Sequence, residues 1–236
     1  MAKHKEHPHK NEKQGKETVE FFKDLDKEAL QTERFLERNS KIITIILATL
    51  IAAVLGYFAY QQFVVAPKNE EAMKSYLSAQ KNLTAGKNVE ALGGKSAANP
   101  GFLGTYEEFS GTHVGKLSAY NAGIIKFNEG KYKEAYDLLD KFTSDNKTMM
   151  AVKYGAMADA QSNLNKNDDA LSLLEKAVAA SDDPYTSYYF TRKAGMLALA
   201  LKKKDVAKKH FSTIDEKYKE YDNGMSDAYI EMVKYY

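Results

Sequence analysis

The sequence contains no cysteine and no tryptophan among its 236 residues. Without cysteine the chain forms no disulfide and offers neither a thiolate nucleophile nor a thiolate metal ligand. Lysine and arginine number 34 against 32 for aspartate and glutamate, which leaves a formal net charge of only +2. Such a small excess provides no strong field for a nucleic-acid backbone. We therefore expect no nucleic-acid partner.

Groups that would carry catalysis are also scarce. Beyond the first nine residues the only histidines are His113 and His210, and neither stands in a recognisable motif. The carboxylate pairs Glu107/Glu108 and Asp168/Asp169 are adjacent, so on a helix their side chains point about 100° apart and do not converge. No glycine-rich phosphate loop is present. We expect no catalytic, cofactor or metal site, and the chain is predicted not to be an enzyme.

One segment lacks charge altogether. Residues 42–65 read IITIILATLIAAVLGYFAYQQFVV in a chain of which 28% is charged. At about 1.5 Å per residue this run is long enough to cross a hydrocarbon core about 30 Å thick. A cleaved signal peptide fits poorly, because the run starts late and ends in QQFVVAPK, without a small-residue cleavage site. A buried core helix is the other alternative. The sequence predicts a transmembrane helix over residues 41–66.

The basic residues near this helix predict its orientation. Five precede it and three follow it: Lys23, Lys27, Arg34, Arg38 and Lys41 before, and Lys68, Lys74 and Lys81 after. This bias favours a cytoplasmic N-terminus. Within the helix, Ala48, Ala52 and Gly56 recur every four residues, which predicts a face against which another membrane helix packs.

The remaining chain divides at this helix. Residues 1–17 are almost entirely polar, which predicts a disordered cytoplasmic tail. Apolar residues at helical spacing predict an amphipathic juxtamembrane helix over residues 18–40. Residues 67–236 show helical spacing and no alternating pattern. With no tryptophan, we expect most of the sixteen tyrosines to pack at helix contacts. The predicted fold class is all-α.

A repeat organises the second half of the chain. Three times a small residue is followed twelve positions later by alanine: Gly123 with Ala135, Ala158 with Ala170, and Gly195 with Ala207. Successive pairs are offset by 35 and 37 residues. A period near 34 with small residues at two sites is typical of helix-turn-helix repeats, whose helices approach closely. The sequence predicts a short α-solenoid of two or three repeats, with a generic antiparallel helical bundle as the alternative.

The clearest unit, AYNAGIIKFNEGKYKEAYDLLDKF, resembles the tetratricopeptide repeat. The whole layout and the segment ANPGFLGTYEEFSGTHVGKLSAYNAGIIKFNEGKYKEA resemble the tetratricopeptide-repeat ancillary subunits of the bacterial SecYEG translocon. This resemblance implies a single-pass protein of the bacterial inner membrane, with a cytoplasmic N-terminus and a periplasmic repeat domain over residues 67–236. It further implies the translocon, a membrane-anchored periplasmic chaperone and exported polypeptides as partners. The family has no catalytic motif.

A repeat array presents the first helix of each pair on its concave side. The repeat alignment predicts a protein-binding face formed by Leu117, Tyr120, Ile124, Phe127, Asn128, Asp159, Ser162, Asn163, Arg192, Met196 and Leu199. Such a face suits an extended or helical polypeptide. Two alternatives stay open. Several of these residues belong to the core, or the face is covered by residues 69–83 or 225–236.

The predicted function is that of an interaction subunit anchored beside the protein-export channel, presenting its repeats to a chaperone or an emerging chain. One alternative is a scaffold of another envelope assembly, such as secretion or gliding machinery. Another is a membrane signalling protein that reports periplasmic occupancy to a cytosolic factor. The sequence does not identify the direct partner or the oligomeric state.

Overall fold

The computed structural model describes residues 9–93 and 100–236, with side chains for 35–93 and 100–236. The predicted tail therefore lies partly outside the described residues. The described chain contains helices and turns but no strand, which confirms the all-α prediction there. It divides into two units, Met1–Val64 and Val65–Tyr236.

The helices are α1 (His9–Tyr60), a π-helix (Gln61–Val65), α2 (Ala66–Thr84), α3 (Asn88–Leu92), α4 (Gly101–Phe109), α5 (His113–Asn128), α6 (Tyr132–Lys141), α7 (Lys147–Asn163), α8 (Asn167–Ala180), α9 (Pro184–Ala200), α10 (Lys204–Lys217), α11 (Lys219–Asp222) and α12 (Asp227–Val233).

Helix α1 begins at His9, inside the segment predicted as a tail, and continues without a break through the segment predicted as amphipathic. Lysine, glutamate and glutamine are good helix formers, and each residue added to an existing helix gains a hydrogen bond at little further cost. The boundaries predicted at residues 17 and 40 therefore do not coincide with helix ends.

The apolar part of α1 is exposed along its length. Leu50 is 58% exposed and Leu55 64%. Its polar groups are satisfied locally, since the Thr49 hydroxyl donates to the Ile45 carbonyl at 2.8 Å and the Gln61 amide donates to the Tyr57 hydroxyl at 3.0 Å. No described residue approaches Gly56. By length and composition this helix is able to cross a membrane.

The π-helix at Gln61–Val65 ends the apolar run just before Pro67. Proline has no N–H to donate to the carbonyl four residues earlier, that of Phe63, and its ring crowds that carbonyl. A local change from α to π hydrogen bonding is a usual response to such a break.

Three helix pairs form the predicted repeats: α5–α6, α7–α8 and α9–α10, here called repeats one, two and three. Each turn has one residue in the left-handed region, namely Gly130 (φ 77), Asn165 (φ 60) and Lys202 (φ 58). In each, the left-handed residue and its successor donate N–H groups to carbonyls in the last turn of the first helix. This Schellman geometry is the same in all three repeats, although the residue that adopts it changes from glycine to asparagine to lysine.

A fourth pair with the same geometry, α2–α3, was missed by the sequence analysis. Gly86 (φ 75) occupies the left-handed position of its turn, and Ala79 and Ala91, twelve residues apart, are fully buried. The repeat period did not indicate this pair, because Gly123 follows Ala79 by 44 residues, whereas the other offsets are 35 and 37 residues. Helix α4 lies in this interval and packs on α2 and α5.

Close approach of the two helices within each repeat explains its small residues. A Cβ on Gly123 would lie 2.9 Å from Cγ of Leu139, and one on Gly195 would lie 3.0 Å from Cε2 of Phe211. Leu174 occupies the matching position opposite Ala158 in repeat two. All three large side chains are at most 2% exposed. The small residue thus makes room for a large core side chain from the second helix.

We expect Lys202→Gly to stabilise the chain. A left-handed backbone costs an L-residue about 1–2 kcal/mol, and glycine avoids this cost. The net gain is smaller, because glycine also has more conformational entropy in the unfolded chain. The melting temperature of the full chain in detergent, followed by circular dichroism, should rise by about 2–4 °C. The matched variant is Gly130→Ala, whose Cβ meets open space, so it should lower the melting temperature through backbone strain alone. A lower melting temperature for Lys202→Gly would contradict this account.

We expect stability to fall in mild acid because of His210. Its side chain is 5% exposed, and no described group hydrogen-bonds its Nε2. Burial lowers the pKa of His210; the positive charge of Lys209 also lowers it, and the carboxylate of Glu175 raises it. Since the folded pKa lies below the unfolded value of about 6.5, the unfolded state binds more protons as pH falls. The neutral form of His210 therefore imposes no cost on folding above about pH 6.5, and the free energy of unfolding falls as the pH falls below that value.

The free energy of unfolding, measured between about pH 7.5 and about pH 5.5, tests this expectation. His210 should contribute a slope of at most about 1.4 kcal/mol per pH unit. His210→Leu should flatten the slope. Glu175→Gln should steepen it, since Glu175 Oε1 lies 3.7 Å from Nε2 and would attract the protonated ring. Equal slopes in all three proteins would show that His210 does not govern the acid response.

Candidate protein-binding groove

The first helices of repeats two and three present one continuous face. In each helix the face is formed by four residues. They lie six, three and two positions before the small residue, Ala158 or Gly195, and one position after it. These residues are Val152, Gly155, Ala156 and Asp159 in α7, and Tyr189, Arg192, Lys193 and Met196 in α9. The spacing i, i+3, i+4, i+7 places them on one side of each helix. Together they line two adjoining cavities, which we call the α7–α9 groove.

The floor of the groove depends on a glycine. A Cβ at Gly155 would collide with the ring of Phe190, which is 5% exposed. The ring therefore lies directly against the α7 backbone, where no other residue would admit it. This contact fixes α9 against α7 and sets the depth of the groove between them.

The first cavity has a volume of ≈ 280 Å³ and lies between α7 and α9. Lys193 of α9 crosses it, and its Nζ lies 2.6 Å from Oδ1 of Asp159 on α7. The same Nζ lies 5.8 Å from the centre of the Tyr189 ring. The cation and the carboxylate in this cavity thus neutralise each other, and the pair joins neighbouring repeats.

The second cavity has a volume of ≈ 500 Å³, and its lining is aromatic and sulfur-rich. Tyr185 is 60% exposed, Tyr189 49% and Met225 55%, so much of the wall is apolar surface in contact with solvent. Tyr185, Tyr189 and Lys193 line both cavities. The two cavities therefore share a ridge and form one surface.

A buried network holds the wall of the second cavity in place. The Tyr188 hydroxyl donates to Oδ1 of Asp222 at 3.0 Å, and the hydroxyl and backbone N–H of Ser226 donate to the same carboxylate at 2.6 and 2.8 Å. Asp222 is only 2% exposed. Burial, together with this hydrogen bond, raises the pKa of Tyr188. Met225 lies between the two anchored residues of the chain, so the network also positions Met225.

Arg192 is the unbalanced charge of the groove. It lines the second cavity, and its Nε is buried with no hydrogen-bond partner among the residues described. No carboxylate in that part of the chain forms an ion pair with it, whereas Lys193 beside it has Asp159.

Three of the predicted site residues, Asp159, Arg192 and Met196, line the groove. In repeat one the equivalent face is largely filled by its own side chains. The Tyr120 ring lies 5.3 Å from that of Phe142, and Tyr120 and Ile124 pack against the core. Burial raises the pKa of Tyr120. Leu117 is half-buried on the same face.

The other predicted residues lie nearer the turns, away from both cavities. Phe127 packs on Tyr132 with ring centres 5.3 Å apart, Ser162 hydrogen-bonds Asn167 at 3.2 Å, and Leu199 packs against the core. Asn128 and Asn163 are exposed. A binding role for these residues stays a prediction.

The apolar character of the groove comes from residues that the repeat alignment did not predict: Val152, Tyr185, Tyr189 and Met225. Tyr185 and Tyr189 are four residues apart, but most of the tyrosines were expected to pack at helix contacts. Helix α2, one predicted cover, packs on α3, α4 and α5. Of the other predicted cover, residues 225–236, Met225 lines the second cavity, whereas α12 packs on α10. Within residues 35–93 and 100–236 no three histidine or carboxylate side chains converge as a metal site requires.

The family of the tetratricopeptide repeat-like domain matches residues 33–232. Neither the curated proteins nor the solved structures gave a match. The matched segment contains all four helix pairs and the groove, and it begins before the apolar part of α1.

Proposed function

This chain belongs to the tetratricopeptide repeat-like domain family, and we propose that it is a membrane-anchored, non-catalytic subunit whose α7–α9 groove binds a partner polypeptide. The family's repeat-like domain indicates a scaffold for protein–protein interaction. The anchor, the groove as the site, and the partner are our proposals.

The observation that carries the proposal is the exposed apolar lining of the groove. Tyr185, Tyr189 and Met225 each leave about half or more of their surface in water. Fully burying a large apolar side chain contributes roughly 1.5–3 kcal/mol, so covering the exposed half of each contributes about 1 kcal/mol. Tyrosine is also among the residues that dominate interface energies. Because the two cavities adjoin, they are able to accept successive side chains of one polypeptide. A single enclosed cavity would accept only one side chain.

The anchoring part of the proposal has separate support. The uncharged run of α1 exposes its leucine and isoleucine side chains, which is unfavourable in water over so many consecutive residues. Its threonine hydroxyls and the Gln61 amide are satisfied within the helix, as a hydrocarbon environment requires.

We propose the bacterial protein-export translocon as the assembly that this subunit serves, with a membrane-anchored periplasmic chaperone or an exported chain at the groove. The support is the resemblance of layout described above. A tether of this kind raises the local concentration of the groove beside its partner, so occupancy does not require tight binding.

The groove is tested by photo-crosslinking in native membranes. A photoreactive amino acid in place of Tyr189 should capture a translocon subunit, a chaperone or an exported chain, identified by mass spectrometry. The matched control is the exposed Lys133 on α6, outside the groove, which should capture none of them. Equal capture at both positions, or none at Tyr189, would contradict the proposal.

A second measurement gives the size of the effect. Tyr185→Ser combined with Tyr189→Ser should weaken affinity for the captured partner by at least about tenfold, since side chains of this kind each contribute 1–2 kcal/mol or more at interface centres. Circular dichroism should be unchanged, because both side chains are largely exposed.

The anchor and its orientation are tested by fractionation. The full chain should sediment with membranes and resist extraction at high pH. Protease added to spheroplasts should digest a C-terminal tag and spare an N-terminal one, because residues 67–236 are proposed to face the periplasm. Recovery in the soluble fraction, or protection of the C-terminal tag, would contradict this part of the proposal.

A further inference from the structure

We infer that the second cavity of the α7–α9 groove takes an acidic side chain of the bound polypeptide, next to a large apolar one. This inference rests on the proposed function, which names the groove as a polypeptide site, and adds the chemistry of the segment that it selects. The juxtaposition that carries it is an uncompensated arginine set among exposed tyrosine and methionine side chains.

The charge balance of the groove is positive. Its lining contains Lys193, Arg192 and Asp159, and the Asp159 carboxylate is engaged by Lys193. The nearby Asp222 already accepts from Tyr188 and twice from Ser226. Both of these carboxylates therefore already have partners, and Arg192 has no ion pair among the residues described.

Arginine makes this charge permanent. Its guanidinium does not lose a proton in proteins and presents up to five N–H donors. One of them, Nε, is already buried without an acceptor. An apolar ligand that filled the cavity would remove water from the guanidinium and leave the charge uncompensated, which is costly. A ligand that brings its own carboxylate avoids that cost.

The surroundings strengthen such a contact. Tyr185, Tyr189, Met196 and Met225 surround the cavity, and a charge-assisted hydrogen bond is stronger where apolar groups exclude water. The two thioethers are flexible and adapt to apolar side chains of different shape. We therefore expect the groove to select the carboxylate more strongly than it selects the shape of the apolar neighbour.

A side-chain carboxylate fits the extended surface better than a small free anion does. The second cavity adjoins the first across Tyr185 and Tyr189, so a segment seated at Arg192 continues onto apolar surface. A free anion would leave that surface in water and gain none of its burial.

The test uses the full chain in mild detergent and synthetic peptides capped at both ends, so that no terminal carboxylate is present. The peptides carry a Leu-Asp-Phe, Leu-Asn-Phe or Leu-Lys-Phe triplet within a glycine-serine sequence. Fluorescence anisotropy should show the aspartate peptide binding roughly fivefold to tenfold more tightly than the asparagine peptide, with the lysine peptide weakest.

Arg192→Gln should abolish the preference for aspartate over asparagine, and Arg192→Lys should retain part of it. The matched control is Lys176→Gln on α8, which removes one exposed positive charge outside the groove and should leave the preference intact. Capture of the aspartate peptide by a photoreactive amino acid at Met225 gives a readout that does not depend on the Arg192 variants.

Equal binding of the aspartate and asparagine peptides, or a preference that survives Arg192→Gln, would overturn the inference. So would binding restricted to uncapped peptides, which would indicate recognition of a chain terminus. If the peptides bind alike and compete for the groove, the inference fails and the proposed function stands. If the Tyr185→Ser and Tyr189→Ser variant binds every peptide as well as the original chain does, the proposed function fails as well.

Discussion

The close approach of two helices at one small residue is the constraint on which each repeat depends. Leu139 and Phe211 fill the space opposite Gly123 and Gly195, and a larger residue at either site would push the helices apart. The rest of each turn tolerates change. The left-handed position holds glycine, asparagine or lysine, because its strain is about 1–2 kcal/mol, which the packing of a buried pair outweighs.

A similar contact between neighbouring repeats creates the groove. In repeat one the position three residues before the small residue holds Tyr120, which packs on Phe142. In repeat two the same position holds Gly155, against which Phe190 lies, and in repeat three it holds Arg192. One position thus seals the surface in repeat one, forms a floor in repeat two and provides a charge in repeat three. The departures from a regular repeat are what make this face different from one end to the other.

Local pattern predicted much of this molecule, because helical spacing and the twelve-residue pairs act within a single helix or a single turn. The uncharged run, the three repeats and the shared helix side of Asp159, Arg192 and Met196 were predictable in that way. The α2–α3 pair was not, because the inserted α4 breaks the period. The exposure of Tyr185 and Tyr189 was not predictable either, because the sequence pattern of an aromatic residue on a helix is the same whether or not a neighbouring element covers it. Met225 reaches the groove only through Asp222 and Ser226, a contact that no spacing rule contains.

The C-terminal segment both packs on repeat three and contributes a residue to the groove. Helix α12 packs on α10 at the end of the array, while the loop before it, held by the Asp222 carboxylate, supplies a methionine to the cavity wall. A further repeat added beyond α10 would have to displace that loop, and the wall would go with it. The packing of α12 on α10 and the apolar wall of the second cavity are therefore coupled through one short loop.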